Sequence, residues 1–400
     1  MRKGWEYKKL GDCFSYIKNG ANIKQKKDAD GFPITRIETL SGGVFNRDRM
    51  GYAGIHDLSK YADYVLESKD LLMSHINSKT YIGRTVEYKR NNEETIIHGM
   101  NLLRLKAIHE LIDSTFFAYY TQSGDFKSKI ARIRKDAVNQ SSFAISDLKR
   151  FDIPLPPKST QLAIVTELDK INELIRLKKE QLKDFDNLAQ SLFYEMFGDP
   201  VENEMGWEVK KLVDCFSYIK NGANIKQTKD VDGFPITRIE TLAGGIFNRD
   251  RMGYAGIYDL SKYSVYVLES RDLLMSHINS KTYIGRTVEY KRNNEETIIH
   301  GMNLLRLKAI HELIDSTFFV YYTKSGDFKS KIARIRKDAV NQSSFAISDL
   351  KRLNIPLPPL PLQQLFAQRI EQIEREKSEI QKSIQDLETL LASRMQYWFE

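Results

Sequence analysis

Residues 160–197 read TQLAIVTELDKINELIRLKKEQLKDFDNLAQSLFYEMF and contain neither glycine nor proline. Apolar residues recur in this stretch at alternating steps of three and four, which is the heptad spacing of a coiled-coil helix. Charged residues flank them, as expected for solvent-facing positions. At about 1.5 Å per residue the stretch would form a helix of about 57 Å. Its apolar row comprises Leu168, Ile171, Ile175, Leu182, Phe185, Leu192 and Met196, and Lys178 and Ala189 interrupt the row.

A helix with a single apolar row needs a partner, and the chain contains a second such row 202 residues later. Because each row follows a globular unit, the simplest arrangement is that the two helices pair with each other. The alternative is two separate amphipathic helices, each packed on its own domain. The second row comprises Ile370, Ile373, Ile380, Ile384, Leu387 and Leu391, with Lys377 inside it.

An internal repeat accounts for the rest of the chain. Residues 5–157 align without a gap with residues 207–359, at a constant offset of 202, and differ at 14 positions. This period is far too long for a solenoid repeat, so we interpret it as a duplicated globular head followed by a helix. We place the first head at residues 1–158, its helix at 159–199, the second head at 200–360 and its helix at 361–400. We expect the two nearly identical heads to have the same function.

Within a head the pattern predicts a mixed α/β fold. Strands are predicted at residues 32–40, 70–76, 81–88 and 95–105, between polar turns. A helix is predicted at 113–134, capped by Asp113 or Ser114 and broken near Ser123 and Gly124. A short helix capped by Ser146 should run through Lys149, and the proline-rich residues 153–157 should form an extended connector.

Composition excludes several classes of protein. With 41% hydrophobic residues, the 400-residue chain can bury sizeable cores in two or three domains. No apolar run approaches the roughly 18 residues of a membrane span, and residues 1–10 lack the apolar region of a signal peptide. We therefore expect a cytoplasmic protein with no membrane partner. Cys13 and Cys215 occupy equivalent repeat positions, and we interpret both as small buried residues, neither disulfide-bonded nor metal-binding.

Charge is divided between the heads and the helices. Residues 1–158 carry 27 Lys and Arg against 19 Asp and Glu, and residues 207–360 carry 24 against 17. Residues 159–206 and 361–400 are acidic, with net charges of −5 and −2. This distribution is expected if the heads contact a polyanion and the helices hold them apart.

Motifs for catalysis and cofactor binding are missing from the sequence. It contains no GxxxxGK[ST] phosphate loop, no GxGxxG turn, no GxSxG elbow and no Asn-Pro-Pro-aromatic tetrapeptide. No pair of histidines has metal-ligand spacing on a helix. We therefore predict no catalytic residue, no metal site and no cofactor held by this chain.

Each head instead offers polar loops of the residue types that contact DNA. Arg and Lys bind guanine or phosphate, Asn and Gln bind adenine, and glycine lets the backbone approach a phosphate closely. The densest of these loops spans residues 74–81. In the first head the candidate DNA-binding residues are Lys24, Gln25, Arg36, Ser74, His75, Asn77, Lys79, Tyr81, Arg84, Asn101, Asn139 and Gln140. In the second head they are Lys226, Gln227, Arg238, Ser276, His277, Asn279, Lys281, Tyr283, Arg286, Asn303, Asn341 and Gln342.

As a set, these features resemble the specificity (S, HsdS) subunits of type I restriction-modification systems. The resemblance covers the whole chain and is carried by short motifs at equivalent places in the two heads. These motifs lie at residues 4–12, 17–20, 70–74, 82–84, 145–148, 153–157 and 193–198, at Gln161, and again at 347–350, 355–359 and Gln363.

The resemblance implies two target-recognition domains separated by two long helices that pair as an antiparallel coiled coil. Each domain would bind one half of a bipartite site in double-stranded DNA. The helices would set the spacing and dock two methyltransferase (M) subunits, and restriction (R) subunits would complete the enzyme. S-adenosylmethionine, ATP and Mg would be used by those partners, so this chain would be a non-catalytic subunit.

One departure from the family pattern concerns symmetry. The two recognition domains of the family usually differ, whereas here they nearly coincide. We therefore predict an inverted-repeat target, with half-site centres about one helical turn, 34–36 Å, apart. The differences His56/Tyr258 and Asp63/Val265 would make the equivalence approximate.

Two other functions are compatible with parts of the pattern. A self-contained DNA enzyme would need a carboxylate cluster or a cofactor loop. A non-catalytic coiled-coil adaptor, whose basic heads bind RNA or protein, would be distinguished by competition between duplex DNA and single-stranded RNA at fixed salt. Within the family, near-identical heads are also compatible with recombination between repeats.

Overall fold

The computed structural model describes residues 4–25, 30–138, 140–227, 233–340 and 342–400. The chain divides into two compact units. Unit 1 comprises Met1–Lys179 and Lys382–Glu400, and unit 2 comprises Glu180–Gln381. Each unit therefore combines one head with parts of both long helices, α5 (Lys158–Phe197) and α9 (Leu360–Phe399). None of the helices in the described ranges is long and apolar enough to cross a membrane.

The first head is built from short strands and helices. Its strands are β1 (Glu6–Lys9), β2 (Phe14–Asn19), β3 (Pro33–Ile34), β4 (Gly51–Tyr52), β5 (Leu71–Ser74), β6 (Ile76–Asn77), β7 (Thr85–Glu87), β8 (Leu102–Ala107), β9 (Lys135–Ala137), β10 (Gln140–Ser142) and β11 (Asp152–Leu155). Its helices are α1 (Leu10–Cys13), α2 (Ser114–Tyr120), α3 (Gly124–Ile133) and α4 (Ile145–Lys149), with 3₁₀ helices at Ile37–Gly43, Arg47–Arg49 and Ala62–Tyr64.

The second head repeats this order. Its strands are β12 (Glu208–Lys211), β13 (Phe216–Asn221), β14 (Pro235–Ile236), β15 (Gly253–Tyr254), β16 (Leu273–Ser276), β17 (Ile278–Asn279), β18 (Thr287–Glu289), β19 (Leu304–Ala309), β20 (Lys337–Asp338), β21 (Ser343–Ser344) and β22 (Asn354–Leu357). Its helices are α6 (Ser316–Tyr322), α7 (Gly326–Ile335) and α8 (Ile347–Lys351), with 3₁₀ helices at Leu212–Cys215, Ile239–Gly245, Arg249–Arg251 and Ser264–Tyr266.

A four-stranded antiparallel sheet, in the order β2-β8-β5-β7, forms the centre of the first head. Side chains alternate across β5, so that Leu71 and Met73 join the large core under α2 and α3 while Leu72 joins a smaller cluster on the opposite face. The sheet thus has two covered faces, which explains why β5 is apolar without polar alternation. Cys13, and Cys215 in the second head, are both buried, as predicted.

Arg104 lies on the face of β8 that carries the smaller cluster and is 1% exposed. Its guanidinium forms an ion pair with Asp70, at 2.6 Å, and donates a hydrogen bond to the carbonyl of Asp63. Asp70 also accepts a hydrogen bond from the backbone N–H of Glu67. Because a buried charge needs both a partner and hydrogen bonds, this pair holds the turn that leads into β5.

The predicted helix over residues 113–134 is confirmed, including its break. Asp113 caps α2 by accepting from the backbone N–H groups of Thr115 and Phe116, and Ser123 caps α3 by accepting from Phe126. A second N-cap within one apolar pattern therefore divides it into two helices.

Several predicted boundaries are wrong. Residues 32–40 form only the two-residue strand β3 and then a 3₁₀ helix, and residues 95–101 contribute isolated bridges before β8 begins. Ser146 lies inside α4, which Ala144 precedes without a side-chain cap. The connector at 153–157 is largely strand β11, which pairs with β1. Strands β1 and β2 were missing from the prediction.

The two long helices pair in antiparallel fashion in each unit. In unit 1, Glu167 of α5 pairs with Arg394 and accepts a hydrogen bond from Trp398, while Lys179, farther along α5, pairs with Glu388, earlier in α9. In unit 2, Asp186 pairs with Lys377 at 2.8 Å. The predicted pairing is therefore confirmed.

The predicted apolar row forms much of the buried helix surface. Leu168, Ile171, Ile175 and Leu192 are buried, as are Ile370, Ile373, Ile380 and Ile384. Ala189 is also buried, so it continues the row rather than interrupting it. Lys377 is accommodated within its row because Asp186 and Glu374 both accept hydrogen bonds from it.

Candidate nucleic-acid interface

A small antiparallel sheet brings together two of the predicted polar loops. Strand β10 lies between β6 and β9, and Ser141 is paired with Asn77 on one side and Asp136 on the other. We call β6, β9 and β10 the hairpin sheet. It places Ile76 and Asn77 beside Ser141 and Ser142, although the two pairs are about 60 positions apart in sequence. The second head forms the same sheet from β17, β21 and β20.

The polar side chains next to the hairpin sheet are accessible. Lys79 and Tyr81 are exposed, and Lys79 pairs with Asp136 at 3.1 Å. The guanidinium of Arg84 lies 4.3 Å from the centre of the Tyr81 ring. Exposed ion pairs contribute at most about 1 kcal/mol, so Lys79 can exchange Asp136 for a nucleic acid at little cost.

A second group of predicted residues surrounds a cleft of about 260 Å³, lined by Ile23, Gln25, Arg36, Ile37, Glu38 and Asn101. We call it the polar cleft. Two glycines make room for it: a Cβ on Gly51 would lie within about 3 Å of both Gln25 and Arg36, and a Cβ on Gly99 would meet Gln25 at 3.1 Å. Gln227 and Arg238 make the same approach to Gly253 in the second head.

Asn19 links the two groups. Its amide lies 3.1 Å from Nε2 of His75, two residues before Asn77, and it donates to the carbonyl of Met100, next to Asn101. Because an amide NH₂ can only donate, Nε2 of His75 is the acceptor. Sequence analysis missed Asn19 because the strand β2 that ends there was not predicted.

Four predicted residues lie in the interior and support the loops. Ser74 and Ser276 are 0% exposed, and their hydroxyls donate to the carbonyls of Tyr81 and Tyr283. His75 and His277 are buried, and burial lowers the pKa of each imidazole to about 4. Since buried neutral groups offer no surface to a base or phosphate in this conformation, we leave these four out of the interface proposed below.

The remaining predicted residues lie at the surface. In the first head, Lys24, Asn101 and Gln140 are exposed, and Gln25, Arg36, Asn77 and Arg84 are half-buried. In the second head, Lys226, Lys281, Tyr283, Asn303 and Gln342 are exposed, and Gln227, Arg238, Asn279 and Arg286 are half-buried. Asn139 and Asn341 lie outside the described residues.

A known protein family and several known proteins match this chain over most of its length. The profile of the family described as "Type I restriction modification DNA specificity domain" matches residues 2–184 and again residues 204–389. A putative type I restriction enzyme MjaX specificity subunit from Methanocaldococcus jannaschii is 29% identical over 97% of this chain and 92% of its own length. The EcoKI specificity subunit of Escherichia coli K12 is 21% identical, over 96% and 85%.

Solved structures share the fold at low sequence identity. A chain from a study of complex assembly and conformational transition of the type I R-M system aligns with a TM-score of 0.60, at 17% identity, over 100% of this chain and 98% of its own. The type I restriction-modification S subunit from M. genitalium aligns with a TM-score of 0.52, at 14% identity, over 98% and 95%.

The two matches to the family profile cover most of the chain, one for each head with its helix. The chain therefore belongs to the type I restriction-modification DNA specificity family, and it is a non-catalytic, DNA-recognising specificity subunit.

Proposed function

We propose that each head binds one half of a bipartite, inverted-repeat DNA site through the hairpin sheet and the polar cleft. The observation that carries this proposal is the meeting of distant polar loops in one small sheet, repeated at the same positions in both heads. Amides and guanidinium groups such as Asn77, Gln25 and Arg36 are the groups that distinguish bases in the major groove.

Near-identity of the heads supports the inverted repeat. Every predicted surface residue of the first head has the same residue type at the equivalent position of the second. Identical donors and acceptors should select identical bases, as the two subunits of a symmetric dimer do on a palindrome. Half-sites about 34–36 Å apart would lie on one side of the duplex.

Partners complete the proposed activity. Two M subunits would dock on the helices, and R subunits would join that complex, as the family membership leads us to expect. S-adenosylmethionine, ATP and Mg would be used by those subunits, and this chain would hold none of them. The complex would act in the cytoplasm, where it meets DNA.

Selection from a random duplex library tests the proposal, using the full chain with its M partner. We expect enrichment of an inverted repeat with a fixed gap. The double variant Arg36→Ala, Arg238→Ala should lose about 10-fold or more of its preference for the selected site over a scrambled one. The control Arg150→Ala, Arg352→Ala removes the same charge from exposed positions elsewhere and should keep that preference.

Two results would contradict the proposal. Enrichment of two unrelated half-sites would refute the inverted repeat while leaving the DNA specificity intact. Enrichment of no sequence, with ordinary salt-sensitive binding, would refute base recognition by these heads.

A further inference from the structure

A second cleft in each head lies next to the hairpin sheet, and no residue of its α3 wall was predicted to contact DNA. In the first head it encloses about 490 Å³, and its polar lining includes Lys79, Thr80, Arg84, Lys127 and Arg134. In the second head it encloses about 550 Å³, and Lys281, Thr282, Arg286, Lys329 and Arg336 occupy the equivalent positions. We call it the basic cleft, since none of the described residues that line it in either head is a carboxylate.

Charge in the basic cleft is only partly compensated. Asp136, on the hairpin sheet, pairs with Lys79 at 3.1 Å and with Arg134 at 3.2 Å. Within the part of the chain that the structure describes, neither Arg84 nor Lys127 has a carboxylate at ion-pair distance. In the described part of the first head, four cationic groups therefore share one carboxylate, which leaves an excess positive charge that an anion would neutralise. In the second head Lys324 also lines the cleft.

The geometry of the basic cleft is fixed before any ligand enters. Arg84 is oriented by its contact with Tyr81 and by a hydrogen bond from its guanidinium to the carbonyl of Leu40. Gly83, with φ of +80°, brings the loop so close to α3 that a Cβ there would meet Ile130 at 3.0 Å. Pre-oriented guanidinium groups are well suited to bind the oxygens of a phosphate.

Backbone groups at one edge of the cleft are also accessible. Gly43 has a φ of +76°, and no atom lies within 4 Å of the position that its Cβ would occupy. Gly245 repeats this conformation and lines the basic cleft of the second head. A glycine in this position leaves room for a bulky anion to approach the main chain.

We propose that the basic cleft of each head binds a backbone phosphodiester of the DNA strand that runs past the half-site. This inference rests on the proposed function, because Lys79 and Arg84 belong both to the basic cleft and to the surface around the hairpin sheet. A duplex on that surface passes the cleft opening. The cleft supplies affinity that does not depend on sequence, and the hairpin sheet and polar cleft supply specificity.

Lys127 is the residue to change. Its side chain is exposed and, among the described residues, has no ion pair, so Lys127→Gln with Lys329→Gln should not disturb folding. With the full chain and its M partner, we expect affinity at 0.15 M salt to fall by about 3- to 10-fold for both the selected and a scrambled duplex. The slope of log K against log salt should become shallower by about one for each head.

The matched control is Lys149→Gln with Lys351→Gln, which removes the same charge outside the cleft and should leave the salt slope unchanged. A cleft variant with an unchanged salt slope would overturn the inference. So would an altered base preference, which would make Lys127 a base-reading residue. Absence of any sequence preference in the unmodified chain would instead refute the proposed function, which keeps the two failures distinct.

A free nucleotide is the other source of a phosphate. Titration of 5′-dAMP into the complex without DNA separates the two sources. We expect no saturable binding below about millimolar concentration, since one phosphate contact is weak without a duplex. Tight binding that Lys127→Gln abolishes would assign the cleft to a nucleotide and overturn the assignment to the DNA backbone.

Discussion

Gln161 shows what a single polar residue does in the core of this fold. It is fully buried at the beginning of α5, where its Oε1 accepts from the backbone N–H of Asp113 and its Nε2 donates to the carbonyls of Leu111 and Pro156. Gln363 makes the equivalent three bonds in the second head. The residue thereby joins the helix, the connector and the cap of α2. The sequence resemblance marked Gln161, but only the structure shows its three partners.

Replacing Gln161 by leucine should leave three backbone groups without partners. Each unsatisfied buried group costs about 1–3 kcal/mol, so we expect the free energy of unfolding of unit 1 to fall by about 3 kcal/mol or more. Urea denaturation with hydrogen exchange resolved along the chain would measure this loss. Gln381→Leu, at an exposed position of α9, is the control and should change stability by less than about 0.5 kcal/mol. Equal effects of the two variants would contradict the structural role of Gln161.

Glu94 makes stability depend on pH. The hydrogen bond from Arg47 is the main cause that lowers the pKa of Glu94 from 4.5 to about 2, and Glu296 with Arg249 repeats it. A carboxyl whose folded pKa is depressed stabilises the protein above its unfolded pKa, and this contribution is lost as pH falls through the folded value. The chain should therefore lose stability from about pH 4.5 down to pH 2 in part through these two groups.

The double variant Glu94→Gln, Glu296→Gln tests this dependence. At pH 7 it should be less stable than the unmodified chain, by about 1–2 kcal/mol per head, because a charge-assisted hydrogen bond is weakened. Between pH 4.5 and 2 its stability should fall less steeply. Thermal unfolding across this pH range measures both effects, and parallel pH profiles for the two proteins would refute the assignment.

At the scale of elements, the sequence predicts what is local and misses what depends on distant partners. The long helices follow from a heptad pattern contained within each segment, and the break before α3 follows from a local N-cap at Ser123. Residues 32–40 have the β-branched and aromatic composition of a strand, yet among the described residues they pair only with β4 and, through an isolated bridge, with Ile97. The hairpin sheet was not predictable either, since its register depends on pairing across about 60 residues.

The ends of the long helices complete the cores of the two heads. Phe399 of α9 packs in unit 1 against Phe116 and Tyr120, with ring centres 5.6 and 5.9 Å apart. Phe197 of α5 packs in unit 2 against Phe318, at 4.9 Å. The two phenylalanines are equivalent by the 202-residue repeat. Each long helix therefore contributes its last aromatic residue to a head core, a role that the heptad pattern does not indicate.

Truncating these two residues should have opposite regional effects. A buried Phe→Ala change costs about 3–5 kcal/mol. Phe399→Ala should therefore increase hydrogen exchange in α2 and α3, and Phe197→Ala should increase it in α6 and α7. Leu390→Ala, at an exposed position of α9, is the control and should leave both regions protected. If Phe399→Ala affects α6 and α7 more than α2 and α3, the assignment of cores to helix ends is wrong.

At the scale of the whole molecule, the duplication of the head predicts that both heads recognise the same bases. The sequence differences between the heads lie outside the predicted surface residues, for example at Tyr7/Val209, His56/Tyr258 and Ala118/Val320. The two heads should therefore have the same base preference while differing slightly in stability and in their contacts with the helices. Sequence comparison within the chain was enough to predict this equivalence, because it requires no knowledge of the fold.

Single-head variants test the equivalence most directly. On a symmetric site, Arg36→Ala and Arg238→Ala should each weaken binding by the same factor, within about 2-fold. The double variant should show the product of the two factors because the two residues belong to separate heads. A duplex with one intact and one scrambled half-site can be bound in either orientation. On that duplex each single variant should bind within about 2-fold of the unmodified chain, since the intact head takes the intact half-site, and only the double variant should lose binding. Binding measured by titration of labelled duplexes at fixed salt distinguishes the cases, and loss of binding by Arg36→Ala alone on the half-scrambled duplex would show that the two heads recognise different bases.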